Sequence, residues 1–142
     1  MRSSKEYVRT GGLRLMTLNE IIRSEDWKKE KHVPVIEILE KREGLVTVKV
    51  TVGKEIPHPN TTEHHIRFID LYFLPDGDQF AFHIGRQEFN SHGESTKGPN
   101  TSEIYTEPIA YFTFKTSKKG KLIAFSYCNI HGLWLSEENI EI

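Results

Sequence analysis

The sequence predicts an all-β protein, an antiparallel sandwich of about seven short strands behind a short N-terminal helix. Three observations carry that prediction. Val46, Val48, Val50 and Val52 alternate with Thr47, Lys49 and Thr51, the period-two pattern of a strand with one face in a core. Two aromatic and β-branched runs each meet a turn signal and a returning run: 66–74 returns through Pro75-Asp76-Gly77-Asp78 to 79–84, and 110–115 returns through Lys118-Lys119-Gly120 to 122–127. Strands this short, separated by regular turns in a chain of 142 residues, fit one sandwich domain.

Taken in order, residues 1–16 carry Gly11-Gly12 and little periodicity. They read either as a tail or as an upstream start before a second in-frame Met16, and residues 17–142 form the domain. Thr17-Leu18-Asn19-Glu20 has capping-box spacing, with Ile21 and Ile22 completing an apolar edge, so a short helix starts there. Ser24-Glu25-Asp26-Trp27 suggests a further turn with Trp27 as an apolar plug. Residues 33–39 read as a strand. The stretch 89–106 is rich in Gly, Ser, Asn and Pro and reads as a long loop. No repeat and no low-complexity segment interrupts the pattern.

Composition narrows the function classes. Nineteen Lys and Arg face 20 Asp and Glu with no single-sign block, so neither nucleic acid nor an anionic membrane surface is an expected partner. No run approaches the roughly 18 apolar residues of a membrane span, and residues 1–15 lack the apolar centre of a secretory signal. The single cysteine, Cys128, excludes an internal disulfide and fits a reducing compartment. The expectation is a cytoplasmic protein outside the membrane.

Seven histidines are present, and the setting of some of them is what matters. His58 stands between Pro57 and Pro59, which fix the backbone on both sides and stiffen the loop that carries the imidazole. His64 and His65 follow; on a strand the two would point to opposite faces, so only one readily shares a site with His58. Cys128 and His131 form a Cys-x-x-His turn in which a thiolate and an imidazole can reach one metal, with backbone amides free to turn toward the sulfur. His32, close to Pro34, is a further candidate. His83 and His92 are given no metal role. Structural zinc sites close at four ligands and favour cysteine. Four imidazoles and one thiolate instead suit iron with one position left open.

Three separated segments resemble the superoxide reductases, and in particular their one-iron, neelaredoxin-like type, which is related to the iron domain of desulfoferrodoxin. They are Glu30-Lys31-His32-Val33-Pro34-Val35-Ile36, the run from Gly53-Lys54-Glu55-Ile56-Pro57-His58-Pro59 through Asn60-Thr61-Thr62-Glu63-His64-His65-Ile66, and Ser126-Tyr127-Cys128-Asn129-Ile130-His131-Gly132-Leu133-Trp134. His92-Gly93-Glu94-Ser95 and Tyr105-Thr106-Glu107-Pro108 are similar as well, so the likeness spans about Ser24 to Trp134. The resemblance implies an immunoglobulin-like sandwich with one iron per chain, cycling between Fe2+ and Fe3+. It implies His32, His58, His64 and His131 as equatorial ligands and Cys128 as the axial thiolate. Glu30 would be a sixth ligand of the oxidised iron, and Lys31 a cation beside the open face that draws in superoxide. His65 is then a non-ligand, either a packing neighbour or a group that supports the ligands from behind. The activity implied is one-electron reduction of superoxide to hydrogen peroxide, with a rubredoxin-type electron donor and a homotetrameric assembly. Two-domain relatives carry an additional cysteine-rich iron module at the N-terminus; this N-terminal stretch holds no cysteine, so that second centre is not expected.

Two rivals are weighed against this reading. A cupredoxin-like carrier would share the β-sandwich and the C-terminal Cys and His, but no methionine follows His131 and the upstream histidines are too many. An interaction module with adventitious zinc would leave the proline-flanked His58 and the Lys31-His32 pair without a purpose.

Overall fold

The structure is a computed structural model that describes residues 9–10, 13–14 and 17–141. Two short strands, β1 (Arg9–Thr10) and β2 (Leu13–Arg14), pair antiparallel within the stretch that the sequence reads as a tail. A single helical turn, α1 (Leu18–Ile21), follows Thr17, whose backbone amide and hydroxyl both donate to the Glu20 carboxylate.

Seven strands then build two antiparallel sheets, the immunoglobulin-like arrangement expected. β3 (Pro34–Arg42), β4 (Leu45–Val52) and β7 (Ile109–Lys115) form one sheet in the order β3-β4-β7. β5 (Ile66–Pro75), β6 (Phe82–Glu88), β8 (Gly120–Cys128) and β9 (Gly132–Ile140) form the other in the order β6-β5-β8-β9. The core lies between them. Val46, Val48, Val50 and Val52 of β4 are buried against Ile69, Leu71 and Phe73 of β5, with Ala110 and Phe112 of β7 and Leu122 and Ala124 of β8. Each of these sets sits two residues apart, as one face of a pleated strand requires.

Within the sandwich, two elements differ from the sequence expectation. β6 begins at Phe82, later than the predicted run 79–84, because Phe80 and Phe82 are solvent-exposed and supply no buried face. Its position follows instead from a polar anchor. Arg86 grips Asp70 of β5 through both guanidinium arms at 2.8 and 2.7 Å, and His83 meets the same carboxylate at 3.1 Å. β9 has no counterpart in the predicted strands: its polar run Ser136-Glu137-Glu138-Asn139 masks it, as is usual for a solvated edge strand. The stretch 89–106 is a long loop as expected, pinned by isolated bridges between His92 and Tyr105 and between Ser95 and Gly98.

Candidate metal centre

Strand pairing brings four chain segments to one end of the sandwich. Pro34 at the start of β3 faces Val52 at the end of β4. Ile66 at the start of β5 faces Cys128 at the end of β8, which in turn faces Gly132 at the start of β9. Cys128 is the last residue of β8, and the sequence-predicted histidine ligands lie in the segments that adjoin these strand ends.

Each segment is shaped by local chemistry. Gly53 adopts φ +84, and a Cβ there would stand 2.7 Å from the His58 amide nitrogen, so only glycine lets the 53–58 loop fold back this tightly. His58 Nδ1 then meets the Pro59 carbonyl at 2.6 Å. His64 and His65 precede β5 rather than lying on it; the Thr61 amide donates to the His64 carbonyl at 2.9 Å and closes a turn that sends the two rings apart. Between β8 and β9 the chain reverses in three residues, Asn129, Ile130 and His131, with Gly132 at φ +82. That tight hairpin places His131 over Cys128, and the His131 amide donates to Cys128 Sγ at 3.3 Å. Asn129 locks the hairpin to the His64 segment: its Oδ1 accepts from the His65 amide at 2.8 Å, and its Nδ2 donates to the Glu63 carbonyl at 2.9 Å.

The result is a ring of four imidazoles above a buried thiol. His32 and His58, His58 and His64, His64 and His131, and His131 and His32 are neighbours with centroids 4.7, 4.7, 5.0 and 4.7 Å apart, while His32 and His64 lie across the ring at 6.2 Å. His131 Nδ1 stands 3.1 Å from His32 Nε2, 3.2 Å from His64 Nε2 and 3.8 Å from Cys128 Sγ. The donor atoms of His32, His58, His64 and Cys128 all fall within 4.8 Å of one another.

These residues fit a metal on two counts. Nitrogens on adjacent corners around an ion with bonds of about 2.1 Å would stand about 3 Å apart, which matches the His131 separations. His58 Nε2 is also buried with no hydrogen-bond partner, an arrangement that costs free energy unless something electrophilic takes its lone pair. The outer nitrogens of two of these rings are also filled, that of His58 by the Pro59 carbonyl and that of His32 by Glu30. Glu30 accepts from the His32 amide at 3.0 Å and meets its Nδ1 at 2.5 Å, leaving Nε2 for the centre.

Electrostatics favour neutral, lone-pair-bearing rings. Burial lowers the pKa of His58 to about 4, against an opposing pull from the Pro59 carbonyl, with the cations of His32, His64 and Lys31 adding to the shift. Burial likewise lowers His32, opposed by Glu30, and lowers His64, helped by His131 and Lys31. Burial works against the Glu30 carboxylate, but its hydrogen bonds from His32 outweigh it and hold the carboxyl below its ordinary value.

Of the sequence-predicted site residues, His32, His58, His64, His131 and Cys128 converge. Lys31 lies near enough to act on three of the rings by charge. Glu30 is bonded to the outer side of His32 and stands outside the grouped donors. His65 turns away and stacks on His92, and His83 belongs to the Asp70–Arg86 anchor. Trp134 and Asn129 received no role from sequence, although both stand inside the Cys128–Trp134 motif. Trp134 stacks on His32 at 4.9 Å with planes 13° apart, and its indole donates to the His131 carbonyl at 3.2 Å. Four imidazoles around one centre also remove the basis for a cupredoxin reading, whose copper site takes two.

A family model described as desulfoferrodoxin matches residues 24–137. The superoxide reductase of Pyrococcus furiosus is 70% identical over 125 residues, covering 87% of this chain and 99% of the relative. The neelaredoxin of Megalodesulfovibrio gigas is 46% identical over 129 residues, covering 89% and 99%. Among solved structures, the superoxide reductase (neelaredoxin) from Archaeoglobus fulgidus in the reduced form superposes with a TM-score of 0.84 at 61% identity, covering 86% of this chain and 99% of that one. Among the described residues, no helix is long and apolar enough to cross a membrane.

Proposed function

This chain belongs to the desulfoferrodoxin family, and from that premise we propose that it is a superoxide reductase whose His32, His58, His64, His131 and Cys128 hold one iron per chain. The reaction adds one electron and two protons to superoxide and gives hydrogen peroxide. The observation that carries this reading is the convergence of four imidazole nitrogens above a single thiol.

Iron held there would supply the reducing electron, and the thiolate would raise its electron density. The chain's own residues do the rest. His32 and His58 are buried, His64 is half-buried and His131 is exposed, so the ring is dry on one side and open to water on the other. Superoxide, a small anion, approaches from the wet side, where Lys31 adds a positive charge that raises the capture rate. The same opening delivers protons. Cys128 is fully buried beneath the ring, and the His131 amide donates to its sulfur, a contact that would moderate the sulfur's donation to a bound metal. Glu30 orients His32 through its Nδ1 and, as a carboxylate beside the ring, would be a further ligand available to oxidised iron.

The product leaves the centre one electron short, so an external donor restores it; a rubredoxin-type protein is the proposed donor. A homotetramer and a cytoplasmic location complete the proposal, with residues 17–142 as the iron-binding domain. The test is metal analysis paired with a visible spectrum, before and after mild oxidation. One iron per chain, colourless when reduced and blue when oxidised, is expected. Zinc, copper or substoichiometric metal after iron-replete expression would overturn the assignment.

A further inference from the structure

Among the described residues, Trp134 meets two members of the ring, His32 and His131. It lies on β9, opposite Ser126 of β8, and is 6% exposed. Its face lies on the His32 imidazole and its edge reaches the carbonyl of His131, two residues 99 positions apart in the chain. A buried indole N–H requires an acceptor. Here the acceptor is the backbone of a ring histidine rather than a neighbouring strand.

The contacts divide the control of His32 between them. Glu30 on Nδ1 sets the rotation of the ring within its plane, and the Trp134 stack sets the tilt of that plane. Ser126, opposite Trp134 in the ladder, donates to the His32 carbonyl at 2.9 Å and fixes the backbone. His131 has less support. It is exposed, and its hairpin is held on one side by Asn129 and on the other by the indole.

We propose that Trp134 is a positioning residue that presets the angle between the His32 and His131 donors before the metal arrives. The inference rests on reading the site as a metal centre. It predicts a graded response, because the indole makes two separable contacts. Trp134→Phe retains a face for His32 and loses the donor to His131. Trp134→Leu loses both.

The experiment is an anaerobic titration of metal-free protein with ferrous iron, followed by the visible spectrum of each fully loaded, oxidised sample. Trp134→Phe is expected to bind iron about 10-fold more weakly and Trp134→Leu about 100-fold more weakly, the range found when the partners of metal ligands are removed. Both should show a displaced thiolate band. Leu71→Ala, a core change away from the ring, is the control for general destabilisation: its melting temperature falls while its affinity and band remain those of the parent. Parent-like affinity and band in both Trp134 variants would overturn the inference, and so would an equal loss of affinity in Leu71→Ala. If Trp134→Leu does not fold, the Trp134→Phe result decides alone. A parent protein that takes up no iron would overturn the metal-centre reading, and this inference with it; a parent that binds iron beside unaffected variants would overturn this inference only.

Discussion

Two histidine clusters sit side by side in this molecule, and they do opposite things with the same side chain. In the ring of His32, His58, His64 and His131, neighbouring planes meet at 56 to 75°, so the nitrogen lone pairs point inward to one spot. In the pair His65 and His92, the planes lie 10° apart with centroids at 3.5 Å, so the lone pairs run parallel and never meet. Both clusters contain a buried Nε2 without a partner, His58 in one and His92 in the other. Only that of His58 faces other donors. Metal competence here is a matter of convergence, and neither the number of histidines nor their burial supplies it.

The two clusters differ most at the sulfur, which the stacked pair lacks. Cys128→Ser should abolish the thiolate band of the oxidised protein and slow superoxide reduction by more than about 100-fold, beyond what loss of a ligand's outer partner costs. An oxidised Cys128→Ser protein with the parental band would show that Cys128 is no ligand. The next largest contrast lies between adjacent residues. His64→Ala should weaken iron binding by at least about 100-fold. His65→Ala should change it by less than about 10-fold while costing about 1–3 kcal/mol of stability through a lost buried hydrogen bond to Thr61. Equal metal loss in the two variants, read by iron titration, would erase the distinction drawn above.

Lys31→Ala touches neither cluster directly. It should leave iron content unchanged and slow superoxide capture about 10-fold at low salt, with the gap narrowing as salt rises. A rate constant equal to the parent's at every ionic strength would remove the steering role.

The smallest effect is the pH response of the metal-free protein. His58 titrates near 4 in the fold against an ordinary value of 6.5, and His32, His64 and His92 are shifted the same way. The unfolded chain therefore takes up protons first as pH falls. The histidine contribution is full above about pH 6.5 and is lost as pH falls toward 4; below that, protonation of Glu30 and Asp70, both held below their ordinary values in the fold, continues the decline. Iron binds the neutral rings, so the loaded protein should hold its stability to lower pH. Urea unfolding of both forms at pH 7, 6, 5 and 4 checks this; a flat profile for the metal-free protein would contradict it.

Much of this was legible in the sequence, and the limits have physical causes. The valine alternation of β4 reported its burial directly because its other face is partly solvated. β9 stayed hidden because an edge strand tolerates Glu137, Glu138 and Asn139. The proline brackets of His58 and the Cys-x-x-His spacing mark the candidate ligand segments, since both encode rigid local geometry. The choice between His64 and His65 came from resemblance alone. What separates them in space is a turn closed by Thr61 and a clamp from Asn129, and neither contact has a periodicity to read. Trp134 escaped for a similar reason: its partners are a ring 102 residues upstream, numbered from His32 to Trp134, and a carbonyl across a hairpin. Glu30 was marked as a possible ligand, whereas its hold on His32 depends on a backbone turn that a sequence does not display.

This centre is expected to reduce superoxide without oxidising any of it. The most direct measurement is product stoichiometry: a known amount of superoxide added to iron-loaded, pre-reduced protein in excess, with hydrogen peroxide and oxygen quantified together. One peroxide per superoxide with no oxygen is the predicted result. Half a peroxide per superoxide, with matching oxygen release, would mean dismutation rather than reduction.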